Sequence, residues 1–133
     1  MRLIRSNTAV VVAVGPFFDK ADGVTIKSTL SITNEKITLV SDTDDGVAPT
    51  MVIPYSSALT TGVNALNYIS GGASSGMMQL SLTAGNTSIL GRMFLSITDS
   101  VNHVPVFHEF MVVPAIVYDN MYRGIINGAS YWI

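Results

Sequence analysis

The chain contains no cysteine. That removes disulfide staples, thiolate nucleophiles and cysteine-ligated zinc together. Charge is scarce as well: Asp, Glu, Lys and Arg make up 12% of the 133 residues, about half the usual share of roughly 25%. The formal net charge is only −2, and the seven Lys and Arg residues are scattered along the chain. No basic cluster is interleaved with aromatics, so nucleic acid is not expected as a direct partner. Long apolar runs are missing too; none approaches the ~20 residues of a bilayer-spanning helix, and no membrane partner is expected. The run Ala9–Val14, preceded by Arg2 and Arg5, superficially resembles a secretory signal. It is short, rich in Val and closed by Gly15-Pro16 without a small-residue cleavage site, so a first strand is the expectation.

What is present is apolar. Hydrophobic residues make up 48% of the sequence, enough for one domain of this length to bury a core. A surface so poor in charge must be covered by Ser, Thr, Asn and Gly, or by other protein. Short β-branched stretches at 8–14, 24–33, 36–40, 50–55, 77–83, 90–98 and 104–113 are separated by clusters of Gly, Pro, Asp, Asn and Ser. This spacing predicts an all-β fold: one antiparallel β-sandwich over residues 1–133, Ig-like or jelly-roll, of about seven to eight strands with at most one short helix. Alternation supports it. Met93, Leu95 and Ile97 share one strand face, as do Met78, Leu80 and Leu82, and Leu30 with Ile32. Helix-like spacing at 57–69 is opposed by Thr60, Thr61 and Gly62, which are poor helix formers; a short helix or irregular turn is expected there. One further helical turn is expected at 115–123.

Candidate chemistry is thin. His103 and His108 lie in the apolar stretch 103–119. Their separation is odd, so on an unbroken strand they point to opposite faces and cannot grip one ion. His108 is expected at the core boundary with its ring nitrogens hydrogen-bonded. The stretch Gly72–Gly76 fits G-x-S-x-G but lacks the strand before and helix after that a nucleophile elbow needs. Asp42, Asp44 and Asp45 read as an acidic turn, because the glycine is misplaced for a calcium loop. Glu35 and Glu109 are the only glutamates, and nothing in the sequence fixes their separation for a carboxylate pair. Asn86-Thr87-Ser88 is a glycosylation sequon without a secretory context. No catalytic residue, cofactor or metal is therefore assigned.

Several segments together carry a resemblance. Val14–Asp19 with Asp22-Gly23 is followed by Leu30–Thr33, then Leu90–Leu95, then Pro105–Ala115, closing on Val117-Tyr118-Asp119. This order resembles a widespread family of small tailed-bacteriophage virion proteins over about residues 10–120. The departures lie at 41–76 and after Asp119, where some relatives continue into fibre-like extensions. The resemblance implies a β-sandwich structural component with no catalytic or cofactor residues, and favours a compact accessory subunit. The expected function is a capsid decoration (cement) protein on the head exterior. It would be partnered by the major capsid protein and by copies of itself, as a homo-oligomer within the virion. The alternatives are a tail, neck or baseplate adaptor or fibre base and, from another class, a small carbohydrate-binding or hydrolytic module using Tyr55 or Tyr68. The terminal segments 1–7 and 119–133 are expected to act as interaction arms, with Arg2, Leu3, Ile4, Tyr131, Trp132 and Ile133 as anchors.

Overall fold

The computed structural model describes residues 1–27, 34–43, 46–58, 61–69, 76–122, 125–126 and 129–130. Eight strands form two packed sheets: β1 (Arg2–Arg5), β2 (Val10–Val14), β3 (Lys36–Asp42), β4 (Thr50–Ser57), β5 (Leu66–Tyr68), β6 (Met78–Leu82), β7 (Gly91–Asp99) and β8 (His103–Val113). The larger sheet runs in the order β1-β8-β7-β3-β4 and the smaller in the order β2-β6-β5. One helix follows, α1 (Ala115–Tyr122), and then a two-stranded ribbon of β9 (Ile125–Ile126) and β10 (Ala129–Ser130). The expected all-β sandwich with one short helix is what forms, and the helical turn foreseen at 115–123 is α1.

Period-2 alternation places the core. Met78, Leu80 and Leu82 of β6 face Met93, Leu95 and Ile97 of β7 across the sandwich, and all six are buried. Val12 and Val14 from β2, Ile37 and Leu39 from β3, Val106, Phe110 and Val112 from β8, and Phe17 from the loop belong to the same cluster, as do Ile4, Ile53, Ala58 and Leu66. Side chains of this size each contribute about 1.5–3 kcal/mol when fully buried, so the inner faces of both sheets dominate stability.

Four expectations are narrowed or corrected. Of the short helix or irregular turn expected at 57–69, the turn is what the described residues form: Gly62 and Asn64 take positive φ (89° and 55°), and the chain turns there into β5. The strand expected at 24–33 is reduced, among the described residues, to a single bridge between Phe18 and Ile26; residues 28–33 with Leu30 and Ile32 lie outside those described. The N-terminal arm is a strand, with β1 running parallel to β8 in the register Arg2↔Phe110 to Arg5↔Val113. Ile4 is thereby buried in the chain's own core, Leu3 is half-buried and Arg2 exposed, so Ile4 is spent on folding and is not available as an outward anchor. Tyr131, Trp132 and Ile133 lie outside the described residues.

The fourth change concerns parity on β8. Ile97 pairs with Val106, but Asp99 pairs with His103. Val104 and Pro105 therefore oppose the single residue Thr98, which is a β-bulge. Proline has no N–H for a ladder, and such a site tolerates it. The extra residue turns His103 back to the inner face, the side that His108 also takes. The expectation of opposite faces assumed an unbroken strand, and the strand is broken at Pro105.

Candidate functional site

Two features stand out: a buried polar cluster at one end of the sandwich and an open apolar face on the larger sheet.

The cluster consists of Glu35, Asp99 and His103, all buried. Glu35 immediately precedes β3, Asp99 ends β7 and His103 begins β8, so neighbouring strands deliver all three side chains to one point. Their potential ligand atoms lie within 4.8 Å of one another. His103 Nε2 is 2.6 Å from Glu35 Oε2, and Nδ1 is 2.6 Å from the Val104 carbonyl oxygen. A carbonyl only accepts, so Nδ1 carries a proton and donates it there. Asp99 Oδ1 accepts from the amides of Val101 and Asn102 at 2.8 and 3.1 Å, and Oδ2 from Asn102 Nδ2 at 2.7 Å. Asp99 thus shapes the β7–β8 turn as well as facing the cluster. Phe17 covers the histidine edge-to-face at 4.7 Å between ring centroids, and the Val104 amide binds the Phe18 carbonyl at 3.0 Å. The loop after Gly15-Pro16 is in this way fastened over the cluster.

Electrostatics follow from the burial. Burial pushes the Glu35 carboxyl above its ordinary value; facing Asp99 adds to the push, and His103 offsets it only in part. Burial alone would lower His103, but the hydrogen bonds with Glu35 and Val104 outweigh it and hold the imidazole above its usual value. Burial would raise Asp99, yet the donors from Asn102 and Val101 hold it below the usual carboxylate value. Glu35 and His103 therefore keep their protons more tightly than exposed groups would.

His108 occupies the core boundary, as expected. Its Nε2 accepts the Gly15 N–H at 2.9 Å, and burial pulls its pKa down. Glu109 points to the other side of the sheet, opposite Phe94. Glu35 and Glu109 therefore lie on opposite sides of the larger sheet and do not flank a common cleft. Asn86, the sequon residue, holds a turn together: its Oδ1 accepts from Thr83 N at 2.8 Å and from Asn64 Nδ2 at 2.9 Å. Residues 70–75 and Asp44 and Asp45 lie outside those described. Tyr55 and Tyr68 stand on different sheets. Glu35 and Asp99 were missed as partners of His103, and the one local signal was a proline two residues after the histidine inside a strand pattern.

The outer face of the larger sheet is unlike the inner one in being uncovered by the described residues. Phe107 is 71% exposed, Tyr55 68%, Met51 58% and Phe94 39%. Register joins them: Met51 pairs with Val40, Val40 with Phe94, and Phe107 sits opposite Ser96 one step along. Met111 and Leu3 continue the face toward β1. Two of its charges lie against aromatic rings, with the Arg92 guanidinium 5.8 Å from the Phe94 centroid and Lys36 Nζ 6.0 Å from that of Tyr55.

No protein-family model matches the chain, and no curated protein matches it either.

Proposed function

We propose that this protein is a non-enzymatic structural subunit of a tailed-bacteriophage virion, a decoration (cement) protein that binds major capsid subunits on the outside of the head. It works by contact and not by chemistry. The observation that carries the reading is the open outer face of the larger sheet, with Phe107, Phe94, Met51 and Tyr55 on one surface. Aromatic and methionine side chains are the types enriched in interface cores, and contiguous apolar patches on a soluble domain mark binding sites. The order of segments that resembles small virion proteins supplies the class of partner, and the charge-poor composition agrees with a protein packed among others. Repetition over a symmetric shell would turn weak single contacts into firm attachment.

The test is stoichiometry in purified particles. The decoration reading expects copies on the order of hundreds, scaling with the major capsid protein; about six or twelve copies, as a single tail axis would hold, would move the protein to the tail. A Phe107→Asp variant should fold with stability within about 0.5 kcal/mol of the parent and fail to join particles. Normal incorporation of that variant would show that this face is not the one that binds.

A further inference from the structure

Nothing in the assembly role uses the buried cluster, yet its atoms are arranged around a deficit of positive charge. His103 donates Nδ1–H to the Val104 carbonyl, so Nε2 is the nitrogen turned to Glu35, and one proton shared across the 2.6 Å contact with Oε2 is what an ion would displace. A histidine held this way, with one nitrogen fixed by a backbone carbonyl and the other turned inward, is oriented as metal-binding histidines usually are by the acceptor on their far nitrogen. Glu35 is fully buried, and its Oε1 has no hydrogen-bond partner among the described residues. Asp99 turns its carboxylate to the same point after its turn amides are satisfied. Three ligand-bearing side chains converge on one buried point, where only protons stand in the place a cation could take.

We propose that Glu35, Asp99 and His103 form a binding site for one divalent transition-metal ion of the Zn²⁺ or Mn²⁺ type, held by His103 Nε2 and the two carboxylates. One nitrogen and two carboxylates form a borderline-hard donor set that suits these ions better than Cu⁺, which prefers sulfur. Donors around a tetrahedral ion with bonds of about 2.0–2.2 Å stand about 3.3 Å apart. The 2.6 Å approach of Nε2 to Oε2 must therefore open by under 1 Å on binding, or Oε1 takes the ligand position. A cavity of about 230 Å³ lies beside the cluster, lined by Asp99, His103, Ser100, Val104, Tyr55 and Lys20 among others. Glu35 is not part of its lining and the Glu35 and His103 side chains are fully buried, so an ion enters only when this end of the sandwich opens. The Lys20 ammonium on the cavity rim is engaged by the Ser100 carbonyl at 2.5 Å. The ion would join the ends of β3, β7 and β8, so its effect on the protein is to lock one end of the sandwich.

The test uses the full chain without a metal-binding tag, purified free of chelator, with Co²⁺ as spectroscopic probe. The proposal expects visible d–d bands that saturate at one equivalent, their displacement by Zn²⁺, and a melting midpoint that rises with metal concentration, as binding to the folded state alone requires. Glu35→Gln keeps the side-chain shape and should weaken Co²⁺ binding by more than about a hundredfold, beyond the 10–100-fold that follows loss of an orienting partner. Glu109→Gln on the outer face should bind as the parent does. Absence of d–d bands and of any midpoint shift with the unmodified chain would overturn the proposal and leave protons alone to satisfy the cluster. Equal binding by the Glu35→Gln and unmodified proteins would overturn it too. Should Glu35→Gln fail to fold, the result with the unmodified chain still decides. Particle incorporation is a separate readout, so failure here leaves the decoration reading standing or falling on its own test.

Discussion

Asp119 closes the stretch Val117-Tyr118-Asp119 and is the one buried residue of α1. Its carboxylate is held by Arg5 of β1: Arg5 Nε donates to Oδ1 at 3.1 Å and Nη2 to Oδ2 at 3.3 Å, while Nη1 reaches Thr8 Oγ1 at 3.0 Å. The two residues lie 114 positions apart, so this fork fastens the helix to the first strand. Its strength can be bracketed. Fully exposed pairs give about 0.2–1 kcal/mol, and hydrogen bonds to charged groups give about 1.5–3 kcal/mol. The Asp119 side chain is 10% exposed but that of Arg5 is 33% exposed, so solvent screens one partner. Coupling of about 1–2 kcal/mol is the expected value for a two-pronged pair between these limits.

A double-mutant cycle measures it. Arg5→Ala should cost about 2–3 kcal/mol, because it removes two donors from a buried carboxylate and the Nη1 donor from Thr8 Oγ1. Asp119→Ala should cost about 1–2 kcal/mol, since Arg5 can turn to water. The double variant should cost about 1–2 kcal/mol less than the sum. Urea unfolding followed by far-UV circular dichroism gives the three values. Amide exchange should quicken across 115–122 in both single variants before the sandwich opens. A coupling below about 0.5 kcal/mol, or unchanged exchange in the helix, would refute the claim that this fork docks α1.

Other sites allow sharper, smaller tests. Gly15 takes φ +123°, and a Cβ there would lie 2.9 Å from the Gly76 carbonyl oxygen and 3.1 Å from Met77 Sδ; Gly15→Ala should destabilise by about 2–3 kcal/mol in chemical denaturation, and a neutral result would mean that the loop relaxes freely. Thr87, fully buried, accepts the Thr8 amide at 3.0 Å and reaches the Thr8 and Ala84 carbonyls at 3.0 and 3.1 Å. Thr87→Val keeps the shape but strands that amide, at a cost of about 1–3 kcal/mol by thermal unfolding. His108 has its pKa lowered by burial, and the Gly15 N–H already fills the lone pair a proton would take. The unfolded chain binds a proton at ~6.5 and the folded chain only at lower pH, so the contribution of His108 to stability is complete above ~6.5 and is lost as pH falls from there toward the folded value. Unfolding measured from about pH 7 down to about pH 5 should show that decline, and His108→Gln should flatten it; an unchanged slope would exclude His108 as its source.

The parts of this fold that could be read from the sequence were those whose physics is local. Met78, Leu80, Leu82, Met93, Leu95 and Ile97 announce their buried faces by alternation alone, and the sandwich follows once two such faces exist. β1 carries no such pattern in Arg2-Leu3-Ile4-Arg5. It becomes a strand because β8 offers a parallel edge more than 100 positions away, and only Ile4 gains full burial there. β5 is three residues long and depends on Asn64 holding a positive φ, which no periodicity reveals. The polar cluster was hidden by the same non-locality, since His103 and Glu35 are 68 positions apart. A parity argument failed there because one inserted residue reverses every side chain beyond it. Pro105 is where that reversal happens, and it is also part of the strand segment that carries the resemblance to virion proteins. The outer aromatic row and the buried cluster therefore share one strand, split by its bulge. Beyond Pro105 the outward positions Phe107, Glu109 and Met111 lie on the open outer face proposed to bind. Before it, His103 is turned inward to join Glu35 and Asp99. A deletion that removed the bulge would invert the residues on one side of it and could not preserve both features at once.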